Sequence, residues 1–493
     1  MRGLGRAAAL MIQGTGSHVG KTVLVAALCR LFRGAGRDVV PFKAQNMALN
    51  AYVTAAGGEI GWAQAMQAEA ARLEPAVEMN PILLKPQTGG SQVIVHGRVW
   101  ATLSAADYYR RRAELWDAVA AAYRRLAAAH ELVVIEGAGS PAEPNLMASD
   151  LANMAVARLA RAPVVLVGDI DRGGVFASFV GTLALLGRLD RRRVRGFLLN
   201  RFRGDRALLA PALEFLERRT RRPVLGVVPY LADLRLPEED SVALEESPSG
   251  DAAGWRDAVT VAVVRLPHIA NFTDFAPLAA DPAIRLRYAG RPEELEGAQV
   301  VIIPGSKDTP ADLRWLRATG FAAALRAHVA AGGRLGGICG GFQMLGLSVE
   351  DPEGFEGGGS LDGLGCLPVR TVLEAGKVTR RVRARLAAGG PAFEAYEIHL
   401  GRTRPEGDVA PLALVEEDGA GRPDGAVSAD RRVWGTYLHA LLDAVHVRQA
   451  LLRAGSGSRL DYRAIREREY DRLAALLRRH VDLKALETLV GLR

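Results

Sequence analysis

The sequence predicts an α/β fold built from two doubly wound domains that follow one another along the chain. Short, continuous apolar runs alternate with helical stretches in both halves, which is typical of parallel sheets covered by helices on both faces. The chain has 493 residues, and 49% of them are hydrophobic. A chain of this length is longer than an ordinary domain with one hydrophobic core, so at least two domains are expected.

The first half of the chain contains six predicted strands. The first of them, AAALMI (7–12), leads into a glycine-rich loop, and the next stretch, VLVAALCRLFRGAG (23–36), reads as a helix that ends in glycine. Because the apolar runs are short and rich in β-branched residues, we expect them to form one parallel sheet. The five remaining runs of this half lie at residues 38–43, 131–137, 163–170, 194–200 and 223–229.

A second series of strands begins after a polar segment. Residues 237–255 are acidic at first and then rich in serine, glycine and alanine, which is the composition of a linker. The strands of the second series are predicted at 259–267, 298–306, 333–339 and 433–439. We therefore divide the chain into a first domain at 1–240, a linker at 241–257, a second domain at 258–447 and a charged, helical tail at 448–493.

The net charge of +8 narrows the choice of partners. The basic residues are scattered, without an aromatic-interleaved stripe, a helix-turn-helix or a zinc-finger pattern, so we expect no nucleic-acid partner. The positive charge then reflects either an ordinary arginine-rich surface or a surface that attracts a polyanionic ligand.

The sequence also bears on location. No apolar run reaches the ~18 residues of a membrane span. Cys29, Cys339 and Cys366 lack metal or disulfide spacing, which fits a reducing cytoplasm.

A phosphate-binding loop is predicted at GTGSHVGKT, residues 14–22, between the first strand and the first helix. A strict Walker A motif has glycine five residues before Gly20, whereas this chain has threonine there, flanked by glycines. Small residues such as Gly16 let backbone N–H groups face phosphate oxygens, and the helix N-terminus adds its positive dipole end. Lys21 would reach the β- and γ-phosphates, and the Thr22 hydroxyl would ligate Mg²⁺.

A carboxylate partner for that magnesium ion is predicted at Glu136. This residue ends the apolar run LVVIE, at the edge where open α/β sheets bind ligands. Asp169 and Asp171 lie at the end of another strand, where either would help to bind metal or substrate or would form a structural turn. Asp150, in ASDLANM, is a candidate substrate-binding residue whose alternative role is a helix N-cap.

The stretch GGICGGFQMLG (336–346) predicts a nucleophilic thiol. Glycines two residues before and after Cys339 form the nucleophile-elbow pattern, with cysteine in place of serine. The sharp strand-to-helix turn would expose the thiol and place it at a helix N-terminus, which favours the thiolate. The N–H of Gly340 would supply half of an oxyanion hole, and the neighbouring turn at Gly305 would supply the other half.

A thiol nucleophile requires a general base, and the chain has nine histidines. We favour His439 because it ends the β-rich run VWGTYLH, which puts it at a strand terminus as Cys339 is. His399, in YEIHLG, is the second candidate. A cysteine–histidine pair in one half and a phosphate loop in the other predict an enzyme whose reaction uses both.

These motifs resemble those of a known family. The C-terminal half resembles class I (triad-type) glutamine amidotransferase domains, which are flavodoxin-like, and the N-terminal half is similar to dethiobiotin-synthetase-like P-loop ATPases. Their fusion in this order resembles the cobyric acid synthases of cobalamin biosynthesis. The resemblance covers nearly the whole chain and rests on the blocks PFKAQNMALN (41–50), EIGWAQAMQAEAA (59–71), MNPILLKP (79–86), EGAGSPAE (136–143), DIDRGGVFAS (169–178), FRGD (202–205), NFTDFAPL (271–278), PGSKDT (304–309), GICGGFQMLG (337–346), YEIHLG (396–401) and GTYLHALLD (435–443).

The sequence departs from the family pattern at two positions. Trp62 stands where the family is expected to favour a basic residue. Leu441, two residues after His439, stands where many glutamine amidotransferases of this kind carry glutamate. The orienting carboxylate of a triad is therefore not evident, and Asp443 and Glu397 are the candidates for it.

The resemblance implies a four-fold amidation, in which the b, d, e and g carboxylates of adenosylcobyrinic acid a,c-diamide become carboxamides. Each round would use one glutamine, cleaved at Cys339 to give ammonia, and one ATP bound with Mg²⁺. Lys43, Gln45 and Asn46, in KAQNMALN, would contact substrate carboxylates or the ammonia path, or would form a hydrogen-bonded loop. The expected partners are L-glutamine, ATP and the corrinoid diamide. The sequence leaves open whether the chain forms a homo-oligomer.

Three alternatives stay open at this stage. The first is the related cobyrinic acid a,c-diamide synthase, or another ATP-dependent amidoligase, although the KAQNMALN and NFTDF blocks favour the four-fold step. The second amidates a cell-wall lipid precursor, in systems that usually split the two domains between chains. The third is a non-catalytic P-loop partitioning or regulatory protein, which needs neither the Cys339 turn nor a histidine partner.

Overall fold

Two central sheets of six strands each organise the chain, one in each half. The prediction of two α/β domains is therefore confirmed. The linker predicted at 241–257 lies outside the residues that the structure describes. This structure is a computed structural model, and it describes residues 7–87, 89–237, 258–417, 420–452 and 459–492.

The first domain alternates strands with helices along the chain. Its strands are β1 Ala8–Gly14, β2 Val39–Phe42, β3 Gln45–Met47, β4 Ala51–Val53, β5 Glu59–Gly61, β6 Ile82–Gln87, β7 Gly90–Val95, β8 Arg98–Leu103, β9 Leu132–Glu136, β10 Val164–Asp169, β11 Val194–Phe202 and β12 Val224–Pro229. Its helices are α1 Lys21–Gly34, α2 Trp62–Ala70, α3 Ala105–Arg111, α4 Ala113–Ala129, α5 Met154–Ala160, α6 Val175–Leu185, α7 Arg188–Arg193 and α8 Arg206–Thr220, with 3₁₀ helices at Val77–Met79 and Met147–Ser149.

The central sheet of the first domain is parallel throughout, with the strand order β12-β11-β10-β1-β9-β2. The side chains of β1 alternate between its two faces. Leu10 and Ile12 join an apolar cluster with α1, whereas Ala9 and Met11 join a second cluster with α4. Because both faces are buried, the strands read as continuous apolar runs, which is why the sequence pattern identifies them.

A β-rich insertion lies between β2 and β9. It contains a four-stranded sheet of order β3-β6-β7-β8 and the antiparallel pair β4 and β5. The sequence predicts only a polar block after the second strand in this region, but Gln45–Met47 is a strand that pairs with β6. Leu83 and Ile94, on one face of the insertion, pack against Tyr396 and Ile398 of the second domain. The insertion therefore forms a layer between the two domains.

The second domain has more strands than the sequence predicted. They are β13 Val259–Val264, β14 Ile269–Ala270, β15 Ile284–Ala289, β16 Val300–Ile303, β17 Gly305–Ser306, β18 Arg334–Ile338, β19 Ser348–Asp351, β20 Gly359–Asp362, β21 Val369–Val372, β22 Val378–Leu386, β23 Phe393–His399, β24 Arg402–Pro405, β25 Ala413–Glu417, β26 Ala420–Asp424, β27 Ala426–Val427, β28 Val433–Thr436 and β29 Leu438–His439. The helices are α9 Ala276–Ala280, α10 Thr309–Ala318, α11 Phe321–Ala330 and α12 Gly340–Leu345, with 3₁₀ helices at Phe272–Phe275, Pro292–Leu295 and Leu441–Asp443.

The central sheet of the second domain has the order β15-β13-β16-β18-β28-β27 and is parallel except for its last pair. A second, antiparallel sheet has the order β26-β25-β22-β23-β29, and a third has the order β20-β19-β21-β24. The run predicted as one strand at 433–439 is interrupted at Tyr437, because β28 belongs to the central sheet and β29 pairs with β23. The chain thus crosses from one sheet to another immediately before His439.

Three helices end the chain, and the last two return to the first domain. Helix α13 Val445–Leu452 packs in the core of the second domain, whereas α14 Tyr462–His480 and α15 Leu483–Val490 pack on the first. Helix α14 packs against α1, where Tyr470 and Leu473 join the apolar cluster of that face. The buried Arg30 of α1 pairs with Glu467 at 2.6 Å and with Asp471 at 2.7 Å. In the described part of the chain, no helix has the length and apolar character needed to cross a membrane.

Candidate active site

Cys339 lies on the turn that joins β18 to α12. Its φ angle is 53°, a left-handed value that residues other than glycine rarely adopt. Its backbone N–H donates to the Thr436 carbonyl of the neighbouring strand at 2.8 Å. A Cβ atom at Gly341 would collide with the Ile303 carbonyl, so the turn requires glycine there. The thiol is therefore fixed in a strained backbone at the carboxyl edge of the central sheet.

His439 and Asp274 form a buried pair. The Nδ1 atom of His439 lies 2.7 Å from Oδ2 of Asp274, and the two side chains are 0% and 2% exposed. The N–H of Ala440 donates to the other carboxylate oxygen at 2.9 Å. Burial alone would lower the pKa of His439, but the adjacent Asp274 carboxylate, helped by Cys339, outweighs burial and raises it. The imidazole is therefore oriented by Asp274 and favours its protonated form.

The carboxylate that contacts His439 was not identified from the sequence. The two candidates bind arginines instead: Glu397 pairs with two arginines of neighbouring strands, at 2.5 and 2.8 Å, and Asp443 pairs with an arginine of α14 at 3.0 Å. Asp274 precedes His439 by 165 residues. The available signal was the NFTDFAPL block, whose single carboxylate is Asp274.

A pocket opens at Cys339, and both candidate histidines line it. The Sγ atom of Cys339 lies 3.6 Å from the Ile398 carbonyl. The ring of His399 stacks on Tyr437 with a centroid separation of 3.8 Å. Burial lowers the pKa of His399 to about 4, so this imidazole is neutral at neutral pH. Of the two histidines, His439 is therefore the one whose ring contacts a carboxylate, whereas Nδ1 of His399 lies 3.1 Å from the Gly401 carbonyl.

The two predicted oxyanion positions lie close to one another. Gly305 pairs with Ala270 in the two-stranded sheet of β14 and β17, and it lines the thiol pocket. Gly340 begins α12, and a Cβ atom there would lie 2.9 Å from the Ser306 nitrogen. The backbones of the two turns are therefore in close contact beside the thiol.

The phosphate loop connects β1 to α1. Gly20, the residue before α1, has a φ of 89°, a conformation that favours glycine. The Nζ atom of Lys21 donates to the Gly16 carbonyl at 2.9 Å and to the Gly139 carbonyl at 3.3 Å. The Lys21 side chain thus folds back across the phosphate loop, and the N-terminus of the 14-residue α1 lies at the end of that loop.

Glu136 joins several of the predicted site residues. It ends β9 and is 1% exposed. Its Oε1 atom accepts hydrogen bonds from the Thr22 hydroxyl at 2.9 Å and from Lys43 Nζ at 2.7 Å. Its Oε2 atom accepts one from Gln67 Nε2 at 2.5 Å. The structure therefore brings together the hydroxyl of the phosphate loop, the strand-end carboxylate and the lysine of the KAQNMALN block.

The other predicted substrate residues lie nearby in the fold but have different contacts. Gln45, on β3, accepts a hydrogen bond from the Tyr108 hydroxyl at 2.5 Å, and Asn46 donates one to Gln64 at 3.0 Å. The carboxylate of Asp150 accepts hydrogen bonds at 2.8–2.9 Å from the backbone N–H groups of Ala152, Asn153 and Ala155. Asp150 therefore holds the turn that leads into α5, but the N-cap residue of that helix is Asn153, not Asp150.

The two aspartates at the carboxyl end of β10 are each paired with arginine. Asp169 accepts a hydrogen bond from Arg201 at 3.2 Å, and Asp171 pairs with Arg203 at 3.1 Å. Across the residues that the structure describes, no three His, Cys, Asp or Glu side chains are grouped so as to hold a metal ion. A magnesium ion at Glu136 would therefore need phosphate or water oxygens as additional ligands.

A buried cluster of charges joins the two domains at the thiol pocket. Lys85, on β6, lines the pocket together with Lys377 of the second domain. Glu59 accepts bonds from Lys85 at 2.8 Å and from Lys377 at 2.5 Å. Burial opposes the charge of Glu59, but the two lysines outweigh it and lower its pKa to about 2. The pocket that contains the thiol is therefore completed by a residue of the first domain.

The backbone of Ala51, on β4, provides a second link between the domains. Its N–H donates to Oδ1 of Asn271 at 2.9 Å, and its carbonyl accepts from the Tyr396 hydroxyl at 3.2 Å. Nδ2 of Asn271 lies 3.4 Å from Nε2 of His439, and the Tyr396 ring stacks on the His439 ring with centroids 5.1 Å apart. The first domain thus contacts Asn271 and Tyr396, the two side chains that border the imidazole of His439.

A thiol, an imidazole and a carboxylate beside a glycine turn define a triad-type amidotransferase domain, and the phosphate loop defines a nucleotide-binding domain. Comparisons with protein families agree with this class. Residues 260–447 match the CobB/CobQ-like glutamine amidotransferase domain, and residues 10–243 match the CobQ/CobB/MinD/ParA nucleotide binding domain.

Curated relatives match almost the whole chain. The cobyric acid synthase of Pelotomaculum thermopropionicum is 51% identical and covers 99% of this chain and 97% of its own length. That of Sorangium cellulosum is 50% identical and covers 98% of each. This chain belongs to the cobyric acid synthase family. Among solved structures, PurLQS from Thermotoga maritima covers 44% of this chain and 98% of its own, at 16% identity and a TM-score of 0.31, which is too distant to bear on function.

Proposed function

We propose that this chain amidates the b, d, e and g carboxylates of adenosylcobyrinic acid a,c-diamide, with L-glutamine as the nitrogen source and ATP as the activating substrate. The cobyric acid synthases that match nearly its full length support this reaction. The observation that carries it is the pairing of a cysteine–histidine–aspartate arrangement with a phosphate loop in one chain. Lys85 of the nucleotide-binding domain lies in the wall of the thiol pocket, which connects the two halves.

Glutamine hydrolysis would begin at Cys339. The raised pKa of His439 favours an imidazolium beside a thiolate. The thiolate attacks the side-chain carboxamide carbon of glutamine, and the N–H groups at Gly340 and Gly305 would receive the resulting oxyanion. His439 then donates its Nε2 proton to the leaving nitrogen, so ammonia departs and a γ-glutamyl thioester remains. Water, deprotonated by the now neutral His439, attacks the thioester, releases glutamate and restores the thiolate beside the imidazolium.

ATP would bind at the phosphate loop of the first domain. The loop N–H groups and the N-terminus of α1 would receive phosphate oxygens, and Lys21 would contact the β- and γ-phosphates. A corrin carboxylate attacks the γ-phosphorus, ADP leaves, and an acyl phosphate forms. Ammonia then attacks the acyl carbon and phosphate leaves, which yields the carboxamide. Ammonia would pass between the domains in its unprotonated form, since ammonium is not a nucleophile.

We assign Mg²⁺ to the Thr22 hydroxyl and the Glu136 carboxylate. Hard oxygens suit this ion, which is usually held by one or two carboxylates together with phosphate oxygens and water. When bound, the ion would neutralise charge on the transferring phosphoryl group. Lys43 contacts the same Oε1 atom of Glu136 as Thr22 does. Its ammonium would therefore contribute a second positive charge close to the phosphates.

The substrate carboxylates would meet the polar block that follows β2. Lys43, Gln45 and Asn46 are the proposed contacts, because they follow a central strand at the edge where such sheets bind ligands. Asp150 is a weaker candidate, since its carboxylate already accepts three backbone N–H bonds. An unchanged KM for the corrinoid in a Lys43→Ala variant would contradict this assignment.

Mass spectrometry of the product formed from a corrinoid a,c-diamide, glutamine and ATP tests the proposed reaction. Four conversions of carboxylate to carboxamide are expected. Conversion of cobyrinic acid that stops after two amidations would instead identify an a,c-diamide synthase. Cys339→Ser should lose glutamine-dependent synthesis and keep ammonia-dependent synthesis. Full glutamine-dependent activity in that variant would refute the amidotransferase mechanism.

A further inference from the structure

Lys307 is a buried cation in the wall of the thiol pocket. Its side chain lines the pocket, and the residue is 8% exposed. Within the described ranges, its Nζ atom has neither a hydrogen bond nor an ion pair within 4 Å. Burial and the nearby Lys85 ammonium lower the pKa of Lys307. A ligand that brought a negative group to Nζ would relieve both effects.

The charges around Lys307 leave a positive excess in the pocket. Lys85 and Lys377 share the carboxylate of Glu59. Glu356 is the only acidic residue in the described lining of the pocket. The pocket lining itself therefore holds three lysines and one carboxylate, whereas Glu59 and Asp308, which also act on Lys307, are not among its lining residues. The composition of the pocket therefore favours an anionic group on the ligand.

Glu356 is a carboxylate in the lining of the same pocket, and it forms no ion pair within 4 Å with Lys307. One of its carboxylate oxygens accepts the Thr309 N–H at the start of α10, at 2.8 Å. Burial, only partly offset by Lys307, raises the pKa of Glu356 to about 7. A cationic ligand group beside this carboxylate would stabilise its charged form. One side of the thiol pocket thus presents a cation and an anion that do not pair with each other.

We propose that Lys307 binds the α-carboxylate of L-glutamine and Glu356 binds its α-ammonium group, while the side-chain carboxamide reaches Cys339. This inference rests on the glutamine hydrolysis proposed above. An α-amino acid carries both charges on one carbon and is neutral overall, so it would satisfy both residues without adding net charge to the pocket.

The same pair explains how the pocket would select free glutamine. A glutamine residue within a peptide has both α-groups tied up in amide bonds, so it would leave the buried Lys307 and the half-buried Glu356 without a charged partner. Simple carboxamides would do the same. A site whose buried polar groups need a partner rejects an analogue without that partner far more strongly than a hydrophobic pocket rejects a smaller ligand.

Glutaminase kinetics of Lys307→Met test the carboxylate contact. We expect the KM for L-glutamine to rise by about 10- to 100-fold, since a charge-assisted hydrogen bond is lost, with little change in kcat. The decisive comparison uses 4-aminobutanamide, which is glutamine without its α-carboxylate. Wild type and Lys307→Met should hydrolyse it with equal kcat/KM, because the group that Lys307 binds is missing. An equal loss with both substrates would overturn the assignment.

Glu356→Gln gives the reciprocal test with 4-carbamoylbutanoate, which is glutamine without its α-amino group. The variant should lose kcat/KM for L-glutamine and match wild type for this analogue. An unchanged KM for L-glutamine would overturn the role of Glu356. Lys484→Met, at an exposed position on α15, is the matched control for the lysine variant and should behave as wild type.

Two measurements separate this inference from the proposed function. Wild-type protein that releases no glutamate from glutamine would refute the proposed function itself. Active wild type with an unchanged KM in Lys307→Met would refute only the binding role of Lys307. Ammonia-dependent synthesis should be retained in the variant and shows that the first domain is intact. If Lys307→Met does not fold, Lys307→Gln carries the same comparison.

Discussion

Replacing Asp274 by asparagine removes the charge of the buried pair with His439 while keeping the size of the side chain. The Oδ1 atom can still accept the Ala440 N–H, which lies 2.9 Å away. The amide nitrogen, however, would face Nδ1 of His439 where Oδ2 now lies at 2.7 Å. An amide N–H donates to Nδ1, so the ring would be neutral, with its single proton on Nε2. In that tautomer Nε2 cannot accept the thiol proton, so the imidazolium and thiolate proposed for the wild type would not form.

The loss should be large because both side chains are buried. Removing one partner of a buried charge pair costs about 3–5 kcal/mol. Each ~1.4 kcal/mol in a barrier is a factor of ten in rate. If the whole cost falls on the step in which His439 carries charge, kcat for glutamine hydrolysis drops by about 10²- to 10⁴-fold. KM should change little, since Asp274 lies behind the imidazole and not in the pocket wall.

The assay is release of glutamate, with ammonia-dependent synthesis measured on the same preparation. The latter should be unchanged, because the first domain keeps its phosphate loop. Asp408→Asn, an exposed substitution in the same domain, is the matched control. Near-wild-type kcat for glutamine hydrolysis in Asp274→Asn would refute the orienting role of this carboxylate.

Three further predictions concern buried charges. Glu136→Gln should lower ATP-dependent synthesis by about 100-fold or more, since it removes the carboxylate charge that we assign to Mg²⁺, while glutamate release persists; loss of both activities would contradict separate sites. Glu59→Gln should destabilise the chain by about 3–5 kcal/mol in urea unfolding because two buried lysines lose their carboxylate. The contribution of the Glu59 charge to the free energy of unfolding should be present above pH ~4.3 and vanish as the pH falls towards about 2. A stability difference between wild type and Glu59→Gln that does not shrink on acidification would disprove this contribution. The contribution of charged His439 has the opposite sign: it should be complete below pH ~6.5 and disappear as the pH rises towards about 10, which the stability difference between wild type and Asp274→Asn measures.

The two turns that contain Lys21 and Cys339 could be predicted because their geometry is local. Gly20 has to adopt a positive φ, and Gly341 has to pass close to a carbonyl, so the sequence records both constraints directly. The central strands could be predicted for a related reason. They are buried on both faces, so their composition alone identifies them.

Asp274 could not be found in this way, because its role depends on a contact between residues 165 positions apart. Strand β22 was missed for another reason. Its sequence, VTRRVRARL, contains four arginines and lacks the apolar run of a central strand. Arg380 of this strand pairs with Glu397 at 2.5 Å and with Glu417 at 2.9 Å. The charges are satisfied by carboxylates that come from other strands, which a single-strand pattern cannot reveal.

The interruption at Tyr437 places the thiol and the imidazole on separate sheets. Cys339 follows β18 of the central sheet, whereas His439 ends β29, which pairs with β23 of the antiparallel sheet. Tyr396, on β23, is hydrogen-bonded to the backbone of the first domain. Sliding of one sheet over the other would change the distance from sulfur to imidazole without unfolding either sheet. The distance from sulfur to imidazole therefore depends on how these two sheets are held against one another, and one of them is hydrogen-bonded to the first domain.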